Sequence, residues 1–145
     1  VTELADLVAL AAEEQYLVVV STARADGTIQ SSVVNAGPLD HPLDGGPALA
    51  FVTYGRAKLA NLRARPLLTV TARSGWRWAA AEGRATIIGP DDPATGFDAE
   101  RLRVLLRDIF TAAGGTHDDW DAYDAEMRAQ RRTAVLLTPT RVYSN

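Results

Sequence analysis

Residues 16–35 read YLVVVSTARADGTIQSSVVN, two runs rich in β-branched residues on either side of Asp26-Gly27. An Asp-Gly step in that setting predicts an antiparallel hairpin, with strands over 16–23 and 28–35. Upstream, residues 3–14 place Leu4, Leu7, Val8, Ala11 and Ala12 at helical spacing behind Thr2, a candidate cap. Downstream, 36–47 (AGPLDHPLDGGP) reads as a turn-rich loop and 48–54 (ALAFVTY) as a third strand. A short helix over 57–65 stops at Pro66, which disfavours helix at the residue before it. Strands over 67–73 and 76–88 follow, the second carrying Gly83 as a candidate bulge. After a loop at 89–96 come helices over 97–113 and 118–128, then a last strand over 133–143, broken near Pro139. This order predicts a mainly β fold with flanking helices (α+β), an antiparallel sheet closed into a small barrel, in one domain over 1–145.

Of the 145 residues, 47% are apolar and 23% charged, ordinary proportions for a globular protein, which argues against disorder over most of the chain. Cysteine is absent, so there is no disulfide framework, thiolate metal site or thiol nucleophile. The N-terminal stretch has no basic leader and is interrupted by Glu13 and Glu14, and no apolar run reaches membrane-spanning length. These features predict a cytoplasmic protein with no membrane partner. The net charge of −3 is unevenly spread: seven basic residues face one acid from Tyr54 to Arg84, and ten acids face three arginines from Asp91 to Glu126. Such asymmetry predicts one electropositive region for an anionic ligand, without the basic excess of a nucleic-acid binder.

The basic stretch centres on GRAKLANLRARP (55–66), which holds Arg56, Arg63, Arg65 and Lys58, the only lysine of the chain. A strand ending at Tyr54, then glycine, then a helix start presents free backbone N–H groups, a geometry that binds phosphate. Arg56 and Lys58 would sit on the rim of that site. Arg63 and Arg65 read instead as solvated residues complementing the C-terminal end of the helix dipole.

Other polar residues carry weaker signals. Trp76 and Trp78 are two apart on a strand and share a face, so they serve either a packed or dimer surface or a stacking platform. His117 is followed by Asp118, Asp119 and Asp121, but consecutive acids without a second nearby histidine suit a helix start, and no metal site is expected. His41 reads as a solvated loop residue. Ser31 and Ser32 lack a glycine elbow and a partnered histidine, which excludes a serine hydrolase.

The pattern Arg-x-Lys-x-x-Asn-Leu-x-x-x-Pro after a strand, here Arg56, Lys58, Asn61, Leu62 and Pro66, resembles the phosphate-binding segment of the split β-barrel flavin/deazaflavin oxidoreductases. That superfamily includes pyridoxamine 5′-phosphate oxidase. RADGTIQSSVV (24–34), GWRWAAAEGRA (75–85), THDDWDAYDAEMRAQRR (116–132) and TPTRVY (138–143) resemble its actinobacterial branch, which uses coenzyme F420. The resemblance implies a split, FMN-binding-barrel-like fold and a homodimer with cofactor grooves between subunits. It further implies that Arg56, Lys58 and the Ala57 backbone hold the cofactor phosphate, with Thr53 and Tyr54 beside it. Gln30 and Ser32 would face the ring system, and Trp76 and Trp78 would line the groove from the partner subunit. Asn61 matches the motif but would serve the fold more than the ligand, and Arg73 and Arg77 become contacts for a longer anionic tail. The implied function is F420-dependent hydride transfer to an unsaturated small-molecule substrate, with solvent or a hydroxyl such as Tyr143 as proton source. An FMN-dependent enzyme of the same fold and a non-catalytic cofactor carrier are the alternatives. The loop at 36–47 departs from the family pattern in length and prolines, and no catalytic residue is assigned.

Overall fold

The structure, a computed structural model, describes residues 1–145. Its elements are α1 (Leu4–Glu13), β1 (Leu17–Ala23), β2 (Ile29–Asp40), β3 (Pro47–Thr53), α2 (Arg56–Ala64), β4 (Leu67–Ser74), β5 (Arg77–Ile88), α3 (Ala99–Ala112), α4 (Trp120–Ala129) and β6 (Thr133–Ser144). The six strands close into a barrel in the order β1-β2-β3-β6-β5-β4, and every neighbouring pair is antiparallel. No helix is long and apolar enough to cross a membrane.

Alternation along β1 sends Val18, Val20 and Thr22 inward and leaves Leu17 and Val19 outside. Inside the barrel Val20, Leu49, Phe51, Val70, Val135 and Leu137 pack together, joined by Leu7 and Leu10 of α1 and Leu59 and Leu62 of α2. A second core lies outside β3 and β6, where Ala50, Ala134 and Leu136 meet Leu105, Leu106 and Ile109 of α3 and Tyr123 of α4. Burial on both faces explains why these two strands read as continuous apolar runs rather than alternating ones.

The stretch 36–40 is strand rather than loop. β2 pairs with β1 over Ile29–Asn35, then changes partner and pairs with β3 over Ala36–Asp40. Pro38 therefore sits where only one edge of β2 is paired, and its missing N–H removes no ladder bond. Gly37 is required there, because a Cβ would lie 2.3 Å from the backbone of Ala112. His41 is buried rather than solvated: Nε2 meets Thr86 Oγ1 at 3.0 Å and Nδ1 accepts the Leu43 N–H at 3.2 Å. β6 runs through Pro139 without a break, since a bulge places Glu82 opposite Arg141 and Gly83 opposite Pro139. The first helix is capped by Glu3, whose N–H donates to Asp6, and Thr2 bonds Ser144 instead.

Ion pairs fix the outer layer. Asp124 of α4 is buried and accepts from Arg107 Nη2 at 2.5 Å and Arg103 Nη1 at 3.2 Å, both on α3. Arg63 of α2 pairs with Asp92 at 2.6 Å and Arg131 with Asp91 at 2.5 Å, pinning the 89–98 loop at two points. Arg65 donates to the Ala23 carbonyl at 3.0 Å. Both helix arginines thus have structural partners, where the sequence predicts solvated side chains. Hydrogen bonds from Arg107 and then Arg103 hold the Asp124 carboxyl below its ordinary range. A carboxylate with a depressed folded-state pKa contributes stability that is present above its unfolded pKa and lost as pH falls through the folded one. Asp124→Asn is expected to lower the thermal midpoint by several degrees at pH 7, with the gap to the parent closing below about pH 4. Scanning both proteins across that pH range checks this; equal midpoints at neutral pH would show that the clasp contributes nothing.

Candidate functional site

Because β2 leaves β1 to join β3 only after Asn35, the edge of its first half has no partner on the β3 side. A groove of about 780 Å³ opens there, walled by Val33 and Asn35 of β2, Thr53 and Tyr54 at the end of β3, and Lys58 of α2. Phe110, His117, Tyr123, Met127 and Arg132 complete its lining. A second cleft, of about 550 Å³, lies under the 89–98 loop, but its carboxylates Asp92, Glu100 and Asp124 are already taken by arginines and Asp98 caps α3.

The start of α2 is open. Its N-cap is Gly55, which has no side chain to accept a bond, and the first turn contains no acid. The first i→i−4 bond runs from Leu59 N–H to the Gly55 carbonyl, and the N–H groups of Arg56, Ala57 and Lys58 have no backbone partner. Thr53 is the hub beside them: its Oγ1 accepts from Gly55 N–H at 3.1 Å and from Lys58 Nζ at 3.4 Å.

Lys58 is 6% exposed, and its ammonium lies 5.6 Å from the Phe51 ring centroid. It takes part in none of the ion pairs of the chain. Burial, and then the charge of Arg132, push its pKa below the ordinary lysine value. Arg132 lies 3.9 Å over the Tyr54 ring and donates to Gln130, again without a carboxylate. Two cations share one end of the groove, with Arg56 exposed on the same helix start. A buried cation without a counter-charge is costly unless a ligand supplies one.

Asn61 faces the barrel and donates to Thr22 Oγ1 at 3.0 Å, and that hydroxyl donates to Gln30 Oε1 at 3.2 Å. This buried chain ties α2 to β1 and β2 and positions Gln30. Ser32 follows on the same inward face, opposite Val20, and its buried Oγ has no hydrogen-bond partner. The structure therefore gathers Thr53, Tyr54, Arg56, Ala57 and Lys58 at one helix start; Gln30 and Ser32 lie on β2, Gln30 tied to α2 through Thr22 and Asn61, and neither lines the groove. Unsatisfied N–H groups beside an unpaired buried ammonium fit a phosphate-bearing cofactor.

Trp76 and Trp78 are not part of this constellation within one chain. Trp76 is 94% exposed in the β4–β5 turn, and Trp78 stacks edge-on against Tyr143 at 6.1 Å. The Tyr143 hydroxyl donates to Glu82 at 2.7 Å, and that bond raises its pKa, which makes it a poor proton source. Arg77 pairs with Glu13 and Arg73 donates to the Gly75 carbonyl, so neither tail contact is free of an internal partner. Arg132, Phe110, His117 and Tyr123 have no place in the site expected from sequence: His117 reads as part of a helix start, and 116–132 enters only as a block resembling the family. Arg132 reaches Tyr54 because β3 and β6 pair with Thr53 opposite Thr133.

Solved structures share this architecture. A conserved hypothetical protein from Mycobacterium tuberculosis aligns over 99% of this chain and 84% of its own, with TM-score 0.67 and 20% identity. A structure described as an F420 reductase aligns over 99% and 98%, with TM-score 0.63 and 19% identity. A pyridoxamine 5′-phosphate oxidase-related, FMN binding protein from Nostoc punctiforme aligns over 97% and 80%, with TM-score 0.60 and 15% identity. At these identities the likeness is one of fold. The family model described as pyridoxamine 5′-phosphate oxidase matches residues 4–145, and with that match over nearly its whole length the chain belongs to the pyridoxamine 5′-phosphate oxidase family.

Proposed function

We propose that the groove binds a phosphate-bearing deazaflavin and that the protein is an F420-dependent oxidoreductase acting on an unsaturated small molecule. The observation that carries this reading is the buried, unpaired Lys58 ammonium beside Arg132, at a helix start with three open N–H groups. When bound, the reduced cofactor supplies the hydride. The chain's own residues bind and orient: Arg56, Lys58 and the Ala57 N–H hold the phosphate, and Arg132 adds charge. In favour of F420 stands one structural neighbour described as an F420 reductase. FMN is the second reading, favoured by the neighbour described as FMN binding.

We further propose a homodimer formed through the outer face of β1, β2 and β4. Val19, Ile29, Val33 and Leu67 are 40%, 59%, 62% and 58% exposed on these adjoining strands, a patch that calls for cover. In that arrangement Trp76 and Trp78 serve the groove of the partner.

Titration with F420 and FMN by tryptophan quenching tests the cofactor reading. Binding of neither below high micromolar would remove it, and tight binding without oxidation of the reduced form by any acceptor would mark a carrier. Lys58→Met is expected to weaken cofactor affinity roughly 10- to 100-fold, the scale of one charged hydrogen bond, while raising the thermal midpoint of the ligand-free protein. Unchanged affinity would dismiss the phosphate site. Val33→Asp is expected to convert dimer to monomer in sedimentation equilibrium and to weaken cofactor binding with it; a wild-type profile that is already monomeric would refute the dimer.

A further inference from the structure

His117 lines the same groove as Lys58, together with Phe110 and Tyr123. Its ring packs against Phe110, Trp120 and Tyr123 at centroid separations of 6.2, 5.9 and 5.7 Å, which holds its plane. Nδ1 accepts the backbone N–H of Asp119, the N-cap of α4, at 3.0 Å. A ring nitrogen accepts only while it carries no proton, so the neutral ring keeps its proton on Nε2. That Nε2–H has no partner in the chain, and the adjacent Asp118 carboxylate lies 3.9 Å from Nδ1, the other nitrogen. The groove thus has a cationic end at Lys58 and Arg132 and an aromatic wall carrying one neutral N–H donor.

We infer that His117 donates from Nε2 to a carbonyl oxygen of the ring system bound in the groove, and so sets the ring's orientation relative to the phosphate end. The inference rests on the reading of the groove as a flavin or deazaflavin site. A ligand with an anionic tail and a flat, carbonyl-bearing head matches this order of charge, aromatic surface and donor. The donor is positioned by a backbone bond and by ring packing, so binding a carbonyl there requires no rearrangement of the helix start.

Two variants separate this role from a structural one. His117→Asn retains an acceptor for the Asp119 N–H but removes the distal donor, whereas His117→Gln returns an N–H donor near the position of Nε2. His117→Asn is expected to bind FMN and F420 about tenfold more weakly, the scale of one hydrogen bond, and His117→Gln to recover most of the loss. Imidazole ¹⁵N spectra of the wild-type protein are expected to show an unprotonated Nδ1, a protonated Nε2, and movement of the Nε2 resonance on saturation with either cofactor. Wild-type affinity in a folded His117→Asn protein, or an Nε2 resonance unmoved by bound cofactor, would overturn the inference. Lys58→Met is the companion variant. If it too binds normally, the groove reading itself fails; if it alone weakens binding, only the role of His117 fails.

Discussion

A lysine ammonium enclosed beside a phenylalanine ring, with a second cation near it and no carboxylate within ion-pairing distance, is the constraint around which the site is organised. Lys58 is pushed below its ordinary pKa by that enclosure, and Thr53 Oγ1 is its one hydrogen-bond acceptor in the chain. The protein has 18 acidic residues and turns many toward its arginines, yet supplies none to Lys58. Leaving a buried charge open lowers the stability of the free protein and raises its affinity for an external anion.

The barrel makes this arrangement possible through one topological event. By changing partner after Asn35, β2 closes the barrel at one end and leaves a gap at the other. α2 occupies the margin of that gap, with Leu59 and Leu62 buried in the barrel core while its first turn faces the groove. The Asn61–Thr22–Gln30 chain fixes the helix against the hairpin, so the same nine-residue element plugs the core and presents the cations. The outer layer of α3 and α4 completes the lining, and the clasp on Asp124 keeps that layer in place.

Much of this was legible in the sequence, for identifiable reasons. All six strands could be read because their signals are local: β-branched runs, an Asp-Gly turn, and Pro66 ending a helix. The open helix start that carries Arg56 and Lys58 was legible because strand, glycine and helix follow one another directly. Pairing between distant segments was not. The extension of β2 through Pro38 depends on which edge stays unpaired, the burial of His41 depends on Thr86 of β5, and Arg132 enters the site only through the β3–β6 ladder. Trp76 and Trp78 show the same limit: the strand period puts them on one face, but β5 begins at Arg77 and Trp76 lies in the turn before it.

The single lysine offers the most direct test. Labelled at Cε, Lys58 gives one resonance whose titration reports the ammonium without interference from any other lysine. The account predicts a pKa below 10.5 in the free protein, and a rise when a phosphate-bearing cofactor binds, because the anion stabilises the charged form. An ordinary lysine pKa that stays fixed through saturation with both F420 and FMN would contradict it.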